Sequence, residues 1–236
     1  MSLPLAVGYN WQIVFLWRQA VSWLFYVGRE TVRMSLLLLT RWRVRGRENV
    51  PHHGPLLVVA NHINLADPPI VGVSLGRNVV FIAKEEIFRS RLIAYLLRKL
   101  GAFPVYRGRL DRRALRWAGQ SLAQGLALVA FPEGQRSKNT QLQPAFSGPA
   151  LIALRNGAPI LPVAVTGTEN IKGIAWWLRR PQVTINIGYP FYLPPVDGRL
   201  TKVKLAEFTD SIMEHIAELL PAEYRGNYAG KKTGKI

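Results

Sequence analysis

Residues 56–69 read Leu56-Leu57-Val58-Val59-Ala60-Asn61-His62-Ile63-Asn64-Leu65-Ala66-Asp67-Pro68-Pro69. Five consecutive apolar residues predict a short strand buried on both faces, because a strand with one wet face alternates polar and apolar side chains instead. Such strands belong to sheets covered by helices. The polar segment that follows is the strand's exit loop, and Asp67-Pro68-Pro69 predicts a helix start, with an N-cap and proline at the first helical position.

Outward from this stretch the same alternation of types continues. Residues 79–83, 103–105, 126–131, 159–166 and 182–188 predict further strands, while 41–47 alternates basic and apolar residues in a strand-like way and 51–55 reads as a turn. Helices are expected over 86–100, with Gly101 as C-cap, and from an Asp111 cap to Gln124, where Gly125 ends it. Another covers 150–156, and a last amphipathic helix shows Leu205, Phe208, Ile212, Ile216 and Leu219 at helical spacing before Pro221. Short apolar strands alternating with helices define an α/β fold: a single domain with a largely parallel or mixed sheet flanked by helices.

Composition narrows the function classes. The chain of 236 residues carries 31 basic and 14 acidic side chains, a net charge of +17, which points to an anionic partner such as a membrane surface or a nucleic acid. There is no cysteine, so disulfides, zinc thiolates, iron–sulfur clusters and a thiol nucleophile are excluded. The adjacent His52 and His53 lie in a Pro/Gly turn without nearby carboxylates and read as a solvated loop, and no metal site is expected. At the N-terminus the first basic residue is Arg18, which does not fit a secretory signal, and Arg18, Arg29, Glu30 and Arg33 interrupt the apolar run too often for a transmembrane span. At helical spacing Arg18, Ser22, Arg29 and Arg33 form one stripe, with Trp11, Trp17 and Trp23 among the apolar remainder. This pattern is that of one helix, or two broken near Gly28, lying in a membrane interface with its arginines reaching to headgroups; the alternative is a helical arm packed on the domain.

Chemistry concentrates on the exit loop. A neutral imidazole can take a proton from an alcohol near neutral pH, and does so better when a carboxylate holds its other ring nitrogen. On a regular helix His62 and Asp67 would point about 140° apart, so they meet only if the chain turns between them. Pro68 disfavours helical geometry at Asp67 and so favours a turn.

Three further segments accompany this one: Gly101 to Arg107 reads GAFPVYR, Phe131 to Ser137 reads FPEGQRS, and Ala158 to Val165 reads APILPVAV. In order and spacing, the four resemble the motifs of the glycerolipid acyltransferases typified by bacterial 1-acylglycerol-3-phosphate acyltransferases, over residues 45–188. His62 and Asp67 match that family's NH-x4-D motif, Arg107 ends its second motif, and Glu133, Gly134, Arg136 and Ser137 match its third. The resemblance implies His62 as general base and Asp67 as its orienting partner. It implies a phosphate site for the acceptor shaped by Arg107, Glu133, Gly134 and Arg136, with Lys84 as a further contact and Asn61 as a further substrate-binding residue. Guanidinium forks and backbone N–H groups suit a phosphate, glycine permits close approach, and Glu133 is expected to orient Arg107 or Arg136. Gln135 stands where threonine is common, and Phe146-Ser147-Gly148 stands where many members carry a lysine before the glycine.

On this reading residues 1–40 are a membrane-associating helical arm, 41–221 the catalytic domain and 222–236 a basic, poorly ordered tail. The expected reaction moves a fatty acyl group from an acyl thioester, acyl-CoA or acyl carrier protein, to the free hydroxyl of 1-acylglycerol 3-phosphate. It runs at the cytoplasmic face of the cell membrane, with no cofactor and no nucleic acid. Other acceptors (another lysophospholipid, glycerol 3-phosphate or a glycolipid) stay open. Two rivals come from other classes. Gly72-Val73-Ser74-Leu75-Gly76 fits the G-x-S-x-G elbow of serine hydrolases, yet it follows a helix start and precedes a strand, the reverse of the required context. A basic lipid- or nucleic-acid-binding module would explain the eleven basic and three acidic residues of 77–117, but no nucleic-acid motif is present.

Overall fold

A computed structural model of the protein describes residues 23–106, 111–196 and 198–230. The apolar run forms strand β2 (Leu56–Ala60), and each of its residues is fully buried. Leu57 and Val59 join one core with Leu122, Ile152, Phe208, Ile212 and Ile216, while Leu56, Val58 and Ala60 join a second with Leu36, Ile70, Val71 and Ile185. With both faces dry, no position along the strand favours a polar residue. Each buried Leu or Val contributes roughly 1.5–3 kcal/mol by leaving water.

The remaining strands are β1 (Arg41–Arg45), β3 (Val79–Lys84), β4 (Ala102–Val105), β5 (Ala127–Ala130), β6 (Ile160–Thr166) and β7 (Gln182–Ile187). They form one sheet in the order β1-β7-β6-β2-β5-β3-β4, which makes β2 the middle strand. Every neighbouring pair is parallel except β6 and β7, so the sheet is mixed and largely parallel, as the sequence predicts. The helices are α1 (Trp23–Leu39), α2 (Asp67–Leu75), α3 (Arg91–Lys99), α4 (Arg112–Ala123), α5 (Gly148–Asn156) and α6 (Lys202–Glu218). The buried sides of α4, α5 and α6 build the first core, and α1 and α2 cover the second. As expected, Asp111 caps α4, its carboxylate accepting the backbone N–H groups of Arg113 and Ala114.

Two expectations are corrected. The helix expected over 86–100 is two pieces, a 3-10 turn at Glu85–Arg89 and then α3, because Ser90 between them is extended (φ −76°, ψ 125°). Ser90 stands at the N-cap of α3, although its side chain makes no capping hydrogen bond. Residues 222–230 are not a loose tail: Tyr228 is buried in the first core and the Tyr224 carbonyl accepts the Leu142 N–H. The lysines that made the tail look solvated begin at Lys231, and residues 231–236 lie outside the described residues. Of the two alternatives at the N-terminus, the described residues form one helix, with α1 running unbroken through Gly28. Its Val32 and Leu36 pack on the second core, while Tyr26, Val27, Met34, Leu37 and Leu38 are exposed. Trp11, Trp17, Arg18 and Ser22 lie outside the described residues. No helix among the described residues is long and apolar enough to cross a membrane.

The connection after β6 turns on Gly167, whose φ is +85° and where a Cβ would lie 1.9 Å from the Gln182 carbonyl oxygen. A left-handed conformation costs a non-glycine residue about 1–3 kcal/mol before any clash. Gly167→Ala is therefore expected to lower unfolding stability by at least that much, read from the shift of the urea midpoint at unchanged slope.

Candidate active site

Because the chain leaves the middle strand between two parallel neighbours, the exits of β2, β5 and β6 meet at one end of the sheet, the switch point where α/β folds place their ligands. Hydrogen bonds tie the three exits together. The side-chain amide of Asn61 donates to the Val165 carbonyl at 2.8 Å and accepts the Val165 N–H at 2.7 Å, pinning the β2 exit to β6. On the β5 side, the His62 N–H donates to Glu133 Oε1 at 2.8 Å, and the Ser137 N–H donates to the His62 carbonyl at 2.7 Å. The Asn64 side chain accepts the Ala66 N–H and donates to the carbonyls of Thr168 (2.9 Å) and Ile171 (3.3 Å).

Within this bracket the chain turns as the chemistry requires. Asp67 Oδ2 accepts from the N–H groups of Ile63 (2.6 Å) and Asn64 (2.7 Å), and lies 2.9 Å from His62 Nδ1. The turn falls on 63–66, with Ala66 at the N-cap of α2, so Asp67 is the first helical residue and not the cap itself. Proline at the two following positions sacrifices no hydrogen bond, since first-turn N–H groups have no helical partner. A carboxylate on Nδ1 fixes the tautomer that leaves Nε2 as proton acceptor. The side chain is 10% exposed and its ring lies on Phe131, with centroids 4.4 Å apart. Phe131 also lines an apolar cavity of about 350 Å³, together with Ile82, Val105, Leu115, Leu151 and Ile152.

The other expected site residues are placed less uniformly. Asn61 is buried with both ends of its amide committed to Val165, so it holds the loop and does not face a substrate. Glu133 does not orient an arginine. Its two oxygens accept the backbone N–H groups of His62 and Gln143 (2.8 and 3.0 Å), so it clamps the loop that carries the imidazole. It is 1% exposed. Burial raises its carboxyl to about 7 against the pull of those two N–H groups, and the charge of Asp67 adds to the rise. Gly134 is glycine for two local reasons: its φ is +65°, and a Cβ would meet the Phe146 ring at 2.7 Å. Arg136 is exposed, one residue from the Ser137–His62 hydrogen bond, and makes no ion pair with the described residues. Lys84 ends β3 and pairs with Glu86 at 2.9 Å. Arg107 lies outside the described residues. Phe131 and Asn64 lie inside the FPEGQRS and NHINLAD segments but were not singled out there, and Gln143 had no signal in the sequence. Ser74 is buried within α2 and donates to the Ile70 carbonyl, as a helical serine does, which removes the hydrolase elbow.

A mixed α/β domain with a carboxylate-held imidazole at its switch point, beside an apolar cavity, is built as a group-transfer enzyme. The family model for Acyltransferase matches residues 41–166, more than half of the chain, and the chain belongs to that family. It is similar to the 1-acyl-sn-glycerol-3-phosphate acyltransferase of Bacillus subtilis, 26% identical over 178 residues that cover 75% of this chain and 87% of that protein. It also resembles the chloroplastic 1-acyl-sn-glycerol-3-phosphate acyltransferase BAT2 of Brassica napus, 29% identical over 174 residues, where it spans 71% of this chain but only 50% of the relative. In fold it is similar to the crystal structure of the 1-acyl-sn-glycerophosphate (LPA) acyltransferase PlsC from Thermotoga maritima, with a TM-score of 0.62 and 24% identity across 89% of this chain and 81% of that one.

The raised carboxyl of Glu133 sets a sign for the pH dependence of stability. Between the ordinary value of 4.5 and about 7 the folded protein holds a proton that the unfolded chain has released. This contribution is therefore full below pH 4.5 and is lost as pH rises to about 7, a loss of order 3 kcal/mol. Urea unfolding at pH 5 and pH 7.5 is expected to show that decline in the wild type and a clearly smaller one in Glu133→Gln.

Proposed function

We propose that this acyltransferase moves a fatty acyl group from an acyl thioester, acyl-CoA or acyl carrier protein, to the free hydroxyl of 1-acylglycerol 3-phosphate, giving phosphatidic acid. The observation that carries the reading is the His62–Asp67 pair, which leaves Nε2 to receive a proton. His62 takes the acceptor's hydroxyl proton as the oxygen attacks the thioester carbonyl. The tetrahedral intermediate collapses with cleavage of the carbon–sulfur bond, and the imidazolium returns its proton to the departing thiolate. No enzyme nucleophile is required, and the thioester is the only co-substrate. The apolar cavity behind Phe131 has the lining for an acyl chain. The relatives' names specify the same acceptor, and Arg136, with Arg107 and Lys84, would supply charge for its phosphate. The setting is an anionic bilayer at the cytoplasmic face of the cell membrane, which suits a chain of net charge +17. The Phe146-Ser147-Gly148 stretch, without the lysine that many members carry before the glycine, bears on the headgroup, so the test is a panel of acceptors.

Incubated with acyl-CoA or acyl carrier protein thioester, the wild type is expected to acylate lysophosphatidic acid in preference to other lysophospholipids, glycerol 3-phosphate or a glycolipid. His62→Ala is expected to lower kcat by about 10²–10⁴-fold, and Ser74→Ala to retain most activity. A wild type that acylates no lysolipid overturns the assignment, and normal turnover by His62→Ala overturns the mechanism.

A further inference from the structure

The β6–β7 connection has the sequence Lys172-Gly173-Ile174-Ala175-Trp176-Trp177-Leu178-Arg179-Arg180, an apolar segment bounded by cations and containing no acid. Because β6 runs parallel to β2 and β7 returns antiparallel to it, this connection lies at the same end of the sheet as His62. β1 runs parallel to β7, so the C-terminal end of α1, which leads into β1, is at that end too. The loop is held there and not left loose. Arg179 donates to the Lys172 carbonyl at 3.1 Å across its base, and Arg180 donates to the Leu37 carbonyl at 3.2 Å. On the other side Asn64, in the catalytic loop, donates to the carbonyls of Thr168 and Ile171. Yet the tip is bare: Ile174 is 100% exposed, Leu178 66% and Trp177 46%. Leu65 of the catalytic loop and Leu37 and Leu38 of α1 are exposed at the same end.

A braced loop that presents large apolar side chains to water bears the mark of an interaction surface. We propose that residues 172–180 are a membrane-inserting wedge, with Ile174, Trp177 and Leu178 entering the interfacial region of an anionic phospholipid bilayer while Lys172, Arg179 and Arg180 meet its phosphates. The inference rests on the bilayer setting proposed above and adds to it a specific contact, distinct from α1 and from the N-terminal segment. The cations decide the occupant. Residues 1–17 carry no charge and offer them no counter-ion, and a second copy brings its own +17. Anionic headgroups satisfy them while the acyl region takes the tip, the division of labour of interfacial tryptophan and snorkelling basic side chains. Since Asn64 joins the segment leading into the wedge to the turn that holds His62 and Asp67, insertion seats the imidazole at the surface where a lipid acceptor resides.

The chain has no cysteine, so Ile174→Cys in the full-length protein gives a single site for an environment-sensitive fluorophore such as NBD. Mixed phosphatidylglycerol/phosphatidylcholine vesicles are expected to blue-shift its emission and raise its intensity several-fold, with a much smaller effect on pure phosphatidylcholine. The double variant Ile174→Asp, Leu178→Asp is expected to lower the vesicle-bound fraction constant by about tenfold or more, since a carboxylate resists entry into the bilayer. The readout involves no acyl transfer, so it stands or falls separately from the reaction, and the uncharged label serves if the double variant fails to fold. Emission already blue-shifted in buffer and unchanged by vesicles would mean that the chain or a second copy covers the loop, and would overturn the wedge. Emission that stays that of a water-exposed probe while the protein sediments with vesicles overturns it equally. Equal shifts on neutral and anionic vesicles overturn the assignment of an anionic surface.

Discussion

A buried carboxylate oxygen organises the functional end of this molecule. Asp67 Oδ2 gathers two backbone N–H groups and the Nδ1 of His62 within 2.9 Å, with the side chain wholly removed from water. A carboxylate is expensive to bury, and here Oδ2's charge-assisted hydrogen bonds and its place in the first turn of α2, where the helix dipole favours negative charge, offset part of the cost, while Oδ1 is buried without a partner. The two prolines after it cannot be drawn into an alternative ladder. The turn, the helix start and the imidazole's orientation thus depend on one another, and removing the carboxylate would release all three.

Glu133 performs a complementary task from the neighbouring strand's exit. Where Asp67 fixes the ring, Glu133 fixes the backbone beneath it, joining His62 to Gln143 across the gap between β2 and β5. Asn61 does the same on the β6 side through Val165. Three loops that are far apart in sequence are thereby made one rigid rim. Such second-layer bonding matters because a general base displaced by even an ångström loses much of its effect. Burial raises the Glu133 carboxyl to about 7.

Around this rim the surface changes character. The buried sides of α1 and α2 complete the second core, but their end of the sheet is fringed by exposed Leu37, Leu38, Leu65 and the Ile174–Leu178 segment. Helix α3 also exposes Leu92, Ile93, Tyr95 and Leu96, but the exposed residues at the catalytic end are the ones that suit an amphipathic substrate. The same surface that would seat the protein would then receive the acceptor.

The α/β class, the strand at 56–60 and the cap at Asp111 were legible in the sequence, because each rests on local chemistry such as an unbroken apolar run or a capping carboxylate; the pairing of His62 with Asp67 was legible only as feasible, since the turn falls on 63–66 and Asp67, before Pro68, is helical. Strand order was not legible, since neighbours in a parallel sheet are chosen by packing between distant segments. For the same reason only the tertiary structure shows that Glu133 and Asn61 bind backbone rather than substrate or arginine, that Ser90 divides a helix, and that Tyr228 returns to the core. Sequence carries the identity of a polar side chain but not its partner. Within a fold the partner is whichever buried donor would otherwise go unsatisfied.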